Sequence, residues 1–386
     1  MKKLICFFFA FCTTFFIFAT DFSFNIKHPK VISMRDFSMG GLFVADNSSY
    51  YSFIANPANI GLTGNKILFP SAQVNVNGNL QQLPLFINSI IESNESDDSN
   101  LMTKMLEILS QAENIRIGTD ISGPLSFGAI KENFGWGFFN RTYALAEIPS
   151  ISSSNIYGGE EFLFKMGYAY PVKFSEFIIS LGIGAQGFFQ TEGIFNDAPT
   201  ELLNIDFNSF PMHTILGYGF DLGINVQMFR IFRIAFNWEN FFGQTFVKKY
   251  DTFSQIFTFK SDYDTKMQIT TPKLALGCAV DIPMKTWTRG FISSWKIMFD
   301  INNLFNLVNE TPLSRNKLLE LSYGTELMIF NTLAFRFGIN ETYMALGFGL
   351  KLEYLCIDYA IYGKELGLEP GAVPELNMGF SITIQK

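Results

Sequence analysis

Residues 216–228 read LGYGFDLGINVQM, and along this stretch apolar residues alternate with small or polar ones without a break. A period of two places successive side chains on opposite faces of an extended strand. At about 3.4 Å per residue the stretch spans roughly 40 Å, longer than a usual strand of a soluble protein. Taken alone, it fits either a half-buried strand of a soluble sandwich or a tilted strand that crosses a bilayer.

The same alternation returns in segments spread over the rest of the chain. The composition of the polar faces of these strands decides between a soluble sandwich and a membrane-spanning barrel. These faces are rich in Gly, Ser and Asn, and only 16% of the chain is charged, whereas a soluble sandwich would carry a charged exterior. The composition is 48% hydrophobic with 45 Phe, yet after the first twenty residues no apolar run approaches the roughly 18 residues of a membrane helix. This combination predicts an all-β fold, a transmembrane antiparallel β-barrel.

Fourteen strands are predicted, and they form a barrel over residues 66–386. An even number leaves both termini in the periplasm, with short turns on that side and long loops outside, as in outer-membrane barrels. The strands are placed at 66–79, 116–131 with a kink at Gly123-Pro124, 134–146, 160–171, 175–189, 213–228, 231–243, 267–282, 293–304, 318–330, 332–341, 343–352, 354–363 and 375–385.

The N-terminus has the features of a cleaved secretory signal. Met1-Lys2-Lys3 precedes an apolar run from Leu4 to Ala19, and a cut after Ala19 gives a signal peptide over residues 1–19. Together with a barrel, it predicts the outer membrane of a Gram-negative-type (diderm) bacterium, with outer-membrane lipid as a partner. Loss of the two lysines takes the formal charge from −7 to −9, which argues against nucleic acid as a partner.

The external loop at 80–115 is expected to contain two short helices around an acidic break. The second carries an apolar stripe that includes Met102, Met105 and Leu106. Two interpretations remain open: the helices fold over the barrel mouth to cover the stripe, or the stripe forms a pocket for hydrophobic ligands.

Charged residues at inward positions of the strands form a nearly neutral set, and no ring of a single sign that would indicate ion selectivity is present. The set has two interpretations: an ion-pair network that braces an N-terminal plug against the wall, or a site in which one or two bases receive a ligand carboxylate. The candidate bases for a ligand are Lys165, Arg233, Lys273 and Arg336. Other inward charges are Lys296, Lys351, Asp221, Glu239, Asp281, Asp300, Glu320, Glu326 and Asp358.

No motif in the sequence indicates an enzyme, a cofactor or a metal. Residues 182–187 read GIGAQG and match a nucleotide-binding pattern, but the pattern needs a helix at its last glycine, and here a strand continues instead. The two histidines, His28 and His213, are isolated, so metal or Ser-His chemistry would lack its other groups.

Ahead of the first strand lies a segment that does not alternate. Its Ser38–Gly41, Phe43–Asp46 and Asn56–Ala58 resemble the N-terminal hatch of the long-chain fatty acid transporter (FadL) superfamily and its PorV/PorQ-like relatives. The run from Thr332 to Gly363 is similar to the closing strands of the PorV-like branch. The resemblance implies a fourteen-stranded barrel plugged by residues 20–65.

The same resemblance implies roles for five hatch residues. Gly40 and Gly41 belong to the hatch motif, and Asn56, Pro57 and Ala58 would hold the hatch inside the lumen. The chain departs from the usual pattern at its end, because it closes on Ile384-Gln385-Lys386 rather than on an aromatic residue.

Three functions are considered. The first is passive uptake of hydrophobic small molecules, such as long-chain fatty acids, through the outer membrane. The second is a PorV-like, secretion-associated barrel that anchors or shuttles exported proteins and has a secretion-system protein as its partner. The third is a structural or adhesive surface barrel.

Overall fold

A computed structural model describes residues 31–78, 115–150, 153–197, 211–258, 265–308 and 315–386. These residues form one antiparallel sheet of fifteen strands. The sheet closes on itself because its last strand pairs with its first. The strands are β1 (Lys66–Gly78), β2 (Ile115–Lys131), β3 (Phe134–Ser150), β4 (Ser153–Lys173), β5 (Phe177–Asp197), β6 (Met212–Met228), β7 (Phe232–Tyr250), β8 (Lys266–Ile269), β9 (Lys273–Ile282), β10 (Ile292–Ile301), β11 (Leu321–Ile329), β12 (Leu333–Asn340), β13 (Tyr343–Lys351), β14 (Leu355–Glu365) and β15 (Pro374–Gln385).

The predicted fourteen-stranded barrel is confirmed. β8 and β9 both pair with β7 and follow one another along it, so these two segments make one strand of the wall. At the end of the barrel that carries the short turns, Lys386 is tied to the first strand, because its N–H donates to the Ile67 carbonyl at 2.9 Å.

Four strands are longer than predicted on the external side. The connection expected at 147–159 is largely sheet, because β3 and β4 continue their pairing to Ser150 and Ser153. β5 likewise reaches Asp197 and β7 reaches Tyr250. These extensions do not alternate strongly between apolar and polar residues, which is why the pattern alone ended the strands early.

The exterior of the barrel is apolar and the interior is not. Along β15, Leu376, Met378, Phe380, Ile382 and Ile384 are exposed on the outer face, while the residues between them are buried. The inner face instead meets a plug and a polar network. Cys278 faces outward, Cys356 faces inward, and both are free thiols.

Helical segments are short and lie in the plug and the external connections. The plug carries α1 (Met34–Phe37), α2 (Ser52–Ala55), a 3-10 turn (Pro57–Asn59) and α3 (Ile60–Thr63), and the loops carry α4 (Phe253–Thr258), α5 (Leu304–Val308) and a 3-10 turn (Lys317–Glu320). The last turn replaces the start of a strand expected at 318. No helix in the described ranges has the length and apolar character to cross a membrane.

Candidate functional site

Residues 31–65, called the plug below, fill the lumen beside the strands. α1 begins at Ser33, whose hydroxyl accepts the Asp36 N–H at 3.2 Å and donates to the Asp36 carboxylate at 2.6 Å. Gly40 then turns the chain with a φ of +91°, a conformation that side chains disfavour. A Cβ there would also lie 3.1 Å from the Ile339 carbonyl oxygen, so glycine permits both the turn and the close approach to β12.

The Asn-Pro-Ala turn attaches the plug to the wall through buried hydrogen bonds. Asn56 is fully buried, and its side-chain oxygen accepts the Ala58 N–H at 2.9 Å, as a helix cap does. Its amide nitrogen donates to the carbonyls of Val44 at 3.3 Å and Phe236 at 3.2 Å, which joins the turn to a second plug segment and to β7. Ser180 of β5 donates to the Ala58 carbonyl at 2.6 Å.

Glycines in the wall make room for this turn. A Cβ on Gly182 would lie 2.2 Å from the Ala58 nitrogen, and one on Gly223 would lie 1.9 Å from the Asn56 side-chain oxygen. The GIGAQG stretch is therefore a strand that receives the plug. Its inward glycines provide a flat backbone surface on which the Asn-Pro-Ala turn packs.

Arg35 is the centre of a buried ion-pair network between the plug and the wall. Its guanidinium contacts Glu326 of β11, and also Asp36 and Asp46 of the plug, at 2.9–3.1 Å. Lys296 of β10 lies 2.5 Å from the other oxygen of Asp46. Burial acts to raise the Asp46 pKa, but Lys296 and Arg35 together hold that pKa well below its usual range.

Two further bases of the wall bind the plug through its backbone carbonyls. Arg233 donates from Nε to the Ala45 carbonyl at 2.8 Å and pairs with Asp281 at 2.5 Å. Lys165 donates to the Ile54 carbonyl at 3.0 Å and pairs with Asp221 at 2.6 Å. Each base thus has a protein carboxylate beside it as well as a carbonyl of the plug.

The predicted site residues fall into three groups. The hatch residues lie together in the plug, as described above for Gly40, Asn56 and Ala58. Among the candidate bases, Lys165, Arg233 and Arg336 are buried in ion pairs, while Lys273 lies opposite Glu239 at the external end of β9. Met102, Met105 and Leu106, with their loop helices, lie outside the described residues.

Charged residues of the plug itself belong to the site but were not among its predicted residues. Arg35 pairs with Glu326 of the wall, Asp46 pairs with Lys296 of the wall, and Asn59 donates to the Val44 carbonyl at 3.1 Å. A signal for them was available, because charged residues in a segment that enters a lumen need partners there. Alternation, which identified the wall residues, has no bearing on a segment that does not alternate.

A small cavity lies between the start of the plug and β1–β4. Val31, Tyr51, Phe139 and Leu163 provide apolar walls, and the cavity is also lined by Ile32, Ser71, Gln73, Ser122, Ser126, Asn140, Arg141 and Glu161. The Arg141 guanidinium is paired with Glu161 at 2.9 Å. The cavity is therefore apolar on one side and carries a neutralised ion pair on the other.

The cavity adjoins an interruption in the wall. β2 loses register with β1 between Gln73 and Ser71, and with β3 between Ser122 and Phe127, so a bulge includes the kink expected at Gly123-Pro124. Gly123 has a φ of +83°. The Asn140 side chain crosses the interruption and donates to the Gly123 carbonyl at 3.4 Å.

No protein-family model matches the chain, and no curated protein matches it in sequence. Among solved structures, it is similar to the Pseudomonas putida toluene transporter TodX, with 10% identity, 93% of this chain and 98% of that chain covered, and a TM-score of 0.42. It is similar to the CymD monoaromatic hydrocarbon channel at 10% identity, with 92% and 97% covered and a TM-score of 0.47. It is similar to a Pseudomonas aeruginosa FadL homologue at 10% identity, with 90% of this chain and 95% of that chain covered and a TM-score of 0.40. Identities this low assign neither a family nor a ligand.

Proposed function

We propose that this chain is an outer-membrane channel for passive uptake of hydrophobic small molecules such as long-chain fatty acids, in the FadL superfamily. The export signal expected over residues 1–19 and the apolar exterior support the location. The plug supports the class, since its Ser38–Gly41 and Asn56–Ala58 carry the resemblance and pack inside the barrel. In this proposal the five hatch residues keep the plug seated.

The observation that carries the proposal is the cavity between the plug and β1–β4. Its apolar side, with Tyr51, Phe139 and Leu163, suits a hydrocarbon chain, and the cavity lies beside the β2 bulge, where this proposal places the passage between lumen and exterior. Because Arg141 is paired with Glu161, a ligand carboxylate there would have to compete with a protein carboxylate. The same holds for Lys165, Arg233 and Arg336, so the ligand is held mainly by apolar contact.

Filling the cavity tests the uptake function. Leu163→Trp replaces an aliphatic side chain of the cavity with a larger indole ring, while Phe164→Trp changes the next residue, which lies on the lipid-facing side of the same strand. Uptake of a fluorescently labelled long-chain fatty acid is measured in vesicles that contain each variant, after folding is verified by heat-dependent gel mobility. We expect Leu163→Trp to lower uptake to the level of protein-free vesicles and Phe164→Trp to retain it. Equal uptake by wild type and protein-free vesicles would overturn the proposal.

A second candidate is a secretion-associated barrel of the PorV/PorQ-like branch. The observation that favours it is that the plug occupies the lumen and is held there by buried ion pairs and by close packing against wall glycines. A barrel that anchors exported proteins needs a closed lumen rather than a path. A native mass spectrum of the protein, extracted gently in detergent, separates the two: bound fatty acid supports uptake, whereas a stable protein partner without lipid supports the secretion role.

A further inference from the structure

The barrel wall has two heights. β4 and β5 contain 21 residues each, whereas β11, β12 and β13 contain 9, 8 and 9. About 9–11 tilted strand residues cross the hydrocarbon core of a bilayer. The short strands therefore end at the outer membrane surface, while β4 rises roughly 25 Å above it at about 3.3 Å per residue and 45° tilt.

The external ends of β11–β15, with the connections 315–320 and 366–373, are called the low rim below. Apolar side chains are exposed there: Leu318 is 56% exposed, Leu368 47% and Met344 69%. The tall wall differs, because outward residues above its aromatic belt are polar, and they include Thr142, Glu160 and Thr191.

The exposed leucines belong to connections that are held in place. The carboxylate of Glu365, only 1% exposed, accepts the N–H groups of Gly367 at 2.8 Å and of Gly371 and Val373 at 2.7 Å. The Asn316 N–H donates to the Leu368 carbonyl at 2.8 Å, which joins the two connections. The fold thus keeps the exposed Leu368 in a connection that is fixed by hydrogen bonds.

The low rim continues the lipid-facing surface. The outward row of β15 runs through Phe380, Met378 and Leu376, and Val373 follows it in the connection with 40% exposure. On the neighbouring strands, Gly363 lies opposite Leu376 and Tyr362 lies opposite Ala345, so the row continues from β15 across β14 towards Met344, the residue before Ala345 on β13.

From this continuity and the strand lengths, we propose that Leu318, Leu368, Val373 and Met344 contact the outer surface of the lipid bilayer. The low rim seats one side of the barrel mouth at the level of the outer leaflet, while the tall wall stands in water. The proposal depends on the transmembrane barrel and is independent of which molecules cross it.

Site-specific fluorescence in membranes tests the low rim. In a Cys278→Ser, Cys356→Ala background, single cysteines at Leu368, Leu318 and two reference positions are labelled with NBD, and the proteins are inserted into phosphatidylcholine vesicles. Phe380 is the reference in the lipid belt. Ala144, exposed on the outward face of β3 above the belt, is the reference in water. Only protein with the heat-dependent gel mobility of a folded barrel is used.

The expected result is that a lipid with a nitroxide close to its headgroup quenches the labels at Leu368 and Leu318 and leaves the label at Ala144 largely unquenched. A nitroxide deep in the acyl chain should quench the Phe380 label more strongly than either. If the labels at Leu368 and Leu318 instead respond as the Ala144 label does, the low rim stands in water and the proposal is wrong.

Discussion

Arg35 of the plug and Glu326 of β11 form a two-point ion pair inside the barrel. Nε donates to Oε2 at 3.1 Å and Nη2 to Oε1 at 3.0 Å. Oε2 also accepts from Nε of Arg336 at 2.7 Å, so one carboxylate joins a plug base and a wall base. This geometry orients α1, because a planar guanidinium matches a carboxylate along two parallel bonds.

Arg35→Ala should release the first half of the plug. It leaves Asp46 and Glu326 with fewer partners in a buried setting, and removal of one member of a buried pair costs about 3–5 kcal/mol. We expect a lower melting temperature in detergent and faster protease cleavage within residues 31–65, while the sheet content from circular dichroism is retained.

The matched control for this change is Lys131→Ala. Lys131 is an exposed base at the periplasmic end of β2, and its loss should leave both measurements unchanged. Identical proteolysis of Arg35→Ala and wild type would mean that the remaining contacts seat the plug without the ion pair.

Gly182→Ala tests whether the wall glycines admit the Asn-Pro-Ala turn. The new methyl group would lie 2.2 Å from the Ala58 nitrogen, so the turn must move away from β5. Overpacking of this kind costs about 1–3 kcal/mol. The control is Gly187→Ala on the same strand, where the nearest atom is the Gly217 carbonyl oxygen at 4.0 Å. We expect the melting temperature to fall for Gly182→Ala and not for Gly187→Ala. Equal melting temperatures of the two variants would show that the turn can move away from β5 at no cost in stability.

Asn56→Ala should weaken the same turn by a different cause. It removes the acceptor for the Ala58 N–H and the donor to the Val44 and Phe236 carbonyls, and each buried group left unpaired costs about 1–3 kcal/mol. Asn65→Ala, in an exposed position before β1, is the control. Hydrogen exchange of the 52–63 amides should accelerate in Asn56→Ala only. Unchanged exchange there would assign the turn's stability to glycine packing.

Much of the wall could be predicted from the sequence because a lipid-facing strand has a simple rule. Alternation predicts where the strands lie and which side chains point into the barrel. Lys165, Arg233 and Asp221 are accordingly buried inside. Pairing partners were harder to predict. That Lys165 meets Asp221, or that Arg336 meets Glu326 and Asp358, depends on the register of neighbouring strands and on the shape of the plug.

The plug could be located but not built from the sequence. Its position followed from the lack of alternation and from a resemblance in a few short motifs, neither of which gives contacts. The role of Arg35 depends on three carboxylates drawn from residues 36, 46 and 326, which only the closed barrel brings together. The external extensions of β3–β5 were also missed, since above the membrane both faces meet water and the apolar alternation fades.

Asp36 and Asp46, both in the plug, should give stability opposite dependences on pH. Burial raises the pKa of Asp36 from 3.8 to about 6, against the attraction of Arg35. Protonated Asp36 is favoured in the folded state, so its contribution is present below pH 4 and is lost as the pH rises through about 6. Because the Asp46 pKa is depressed instead, its contribution is present above pH 4 and is lost only in stronger acid.

Asn substitutions at the two positions separate these contributions. A shift of about two pKa units corresponds to up to about 3 kcal/mol, so Asp36→Asn should be more stable than wild type at pH 7.5, by about half as much at pH 5, and nearly equal to it at pH 4. Asp46→Asn should be less stable at pH 5 and at pH 7.5, because Lys296 and Arg35 lose a carboxylate. Thermal melts in detergent from pH 4 to 7.5 give the differences, and other titrating groups cancel between variant and wild type. A stability difference for Asp36→Asn that stays constant over this range would mean that Asp36 is ionised throughout and that Arg35 compensates for its burial.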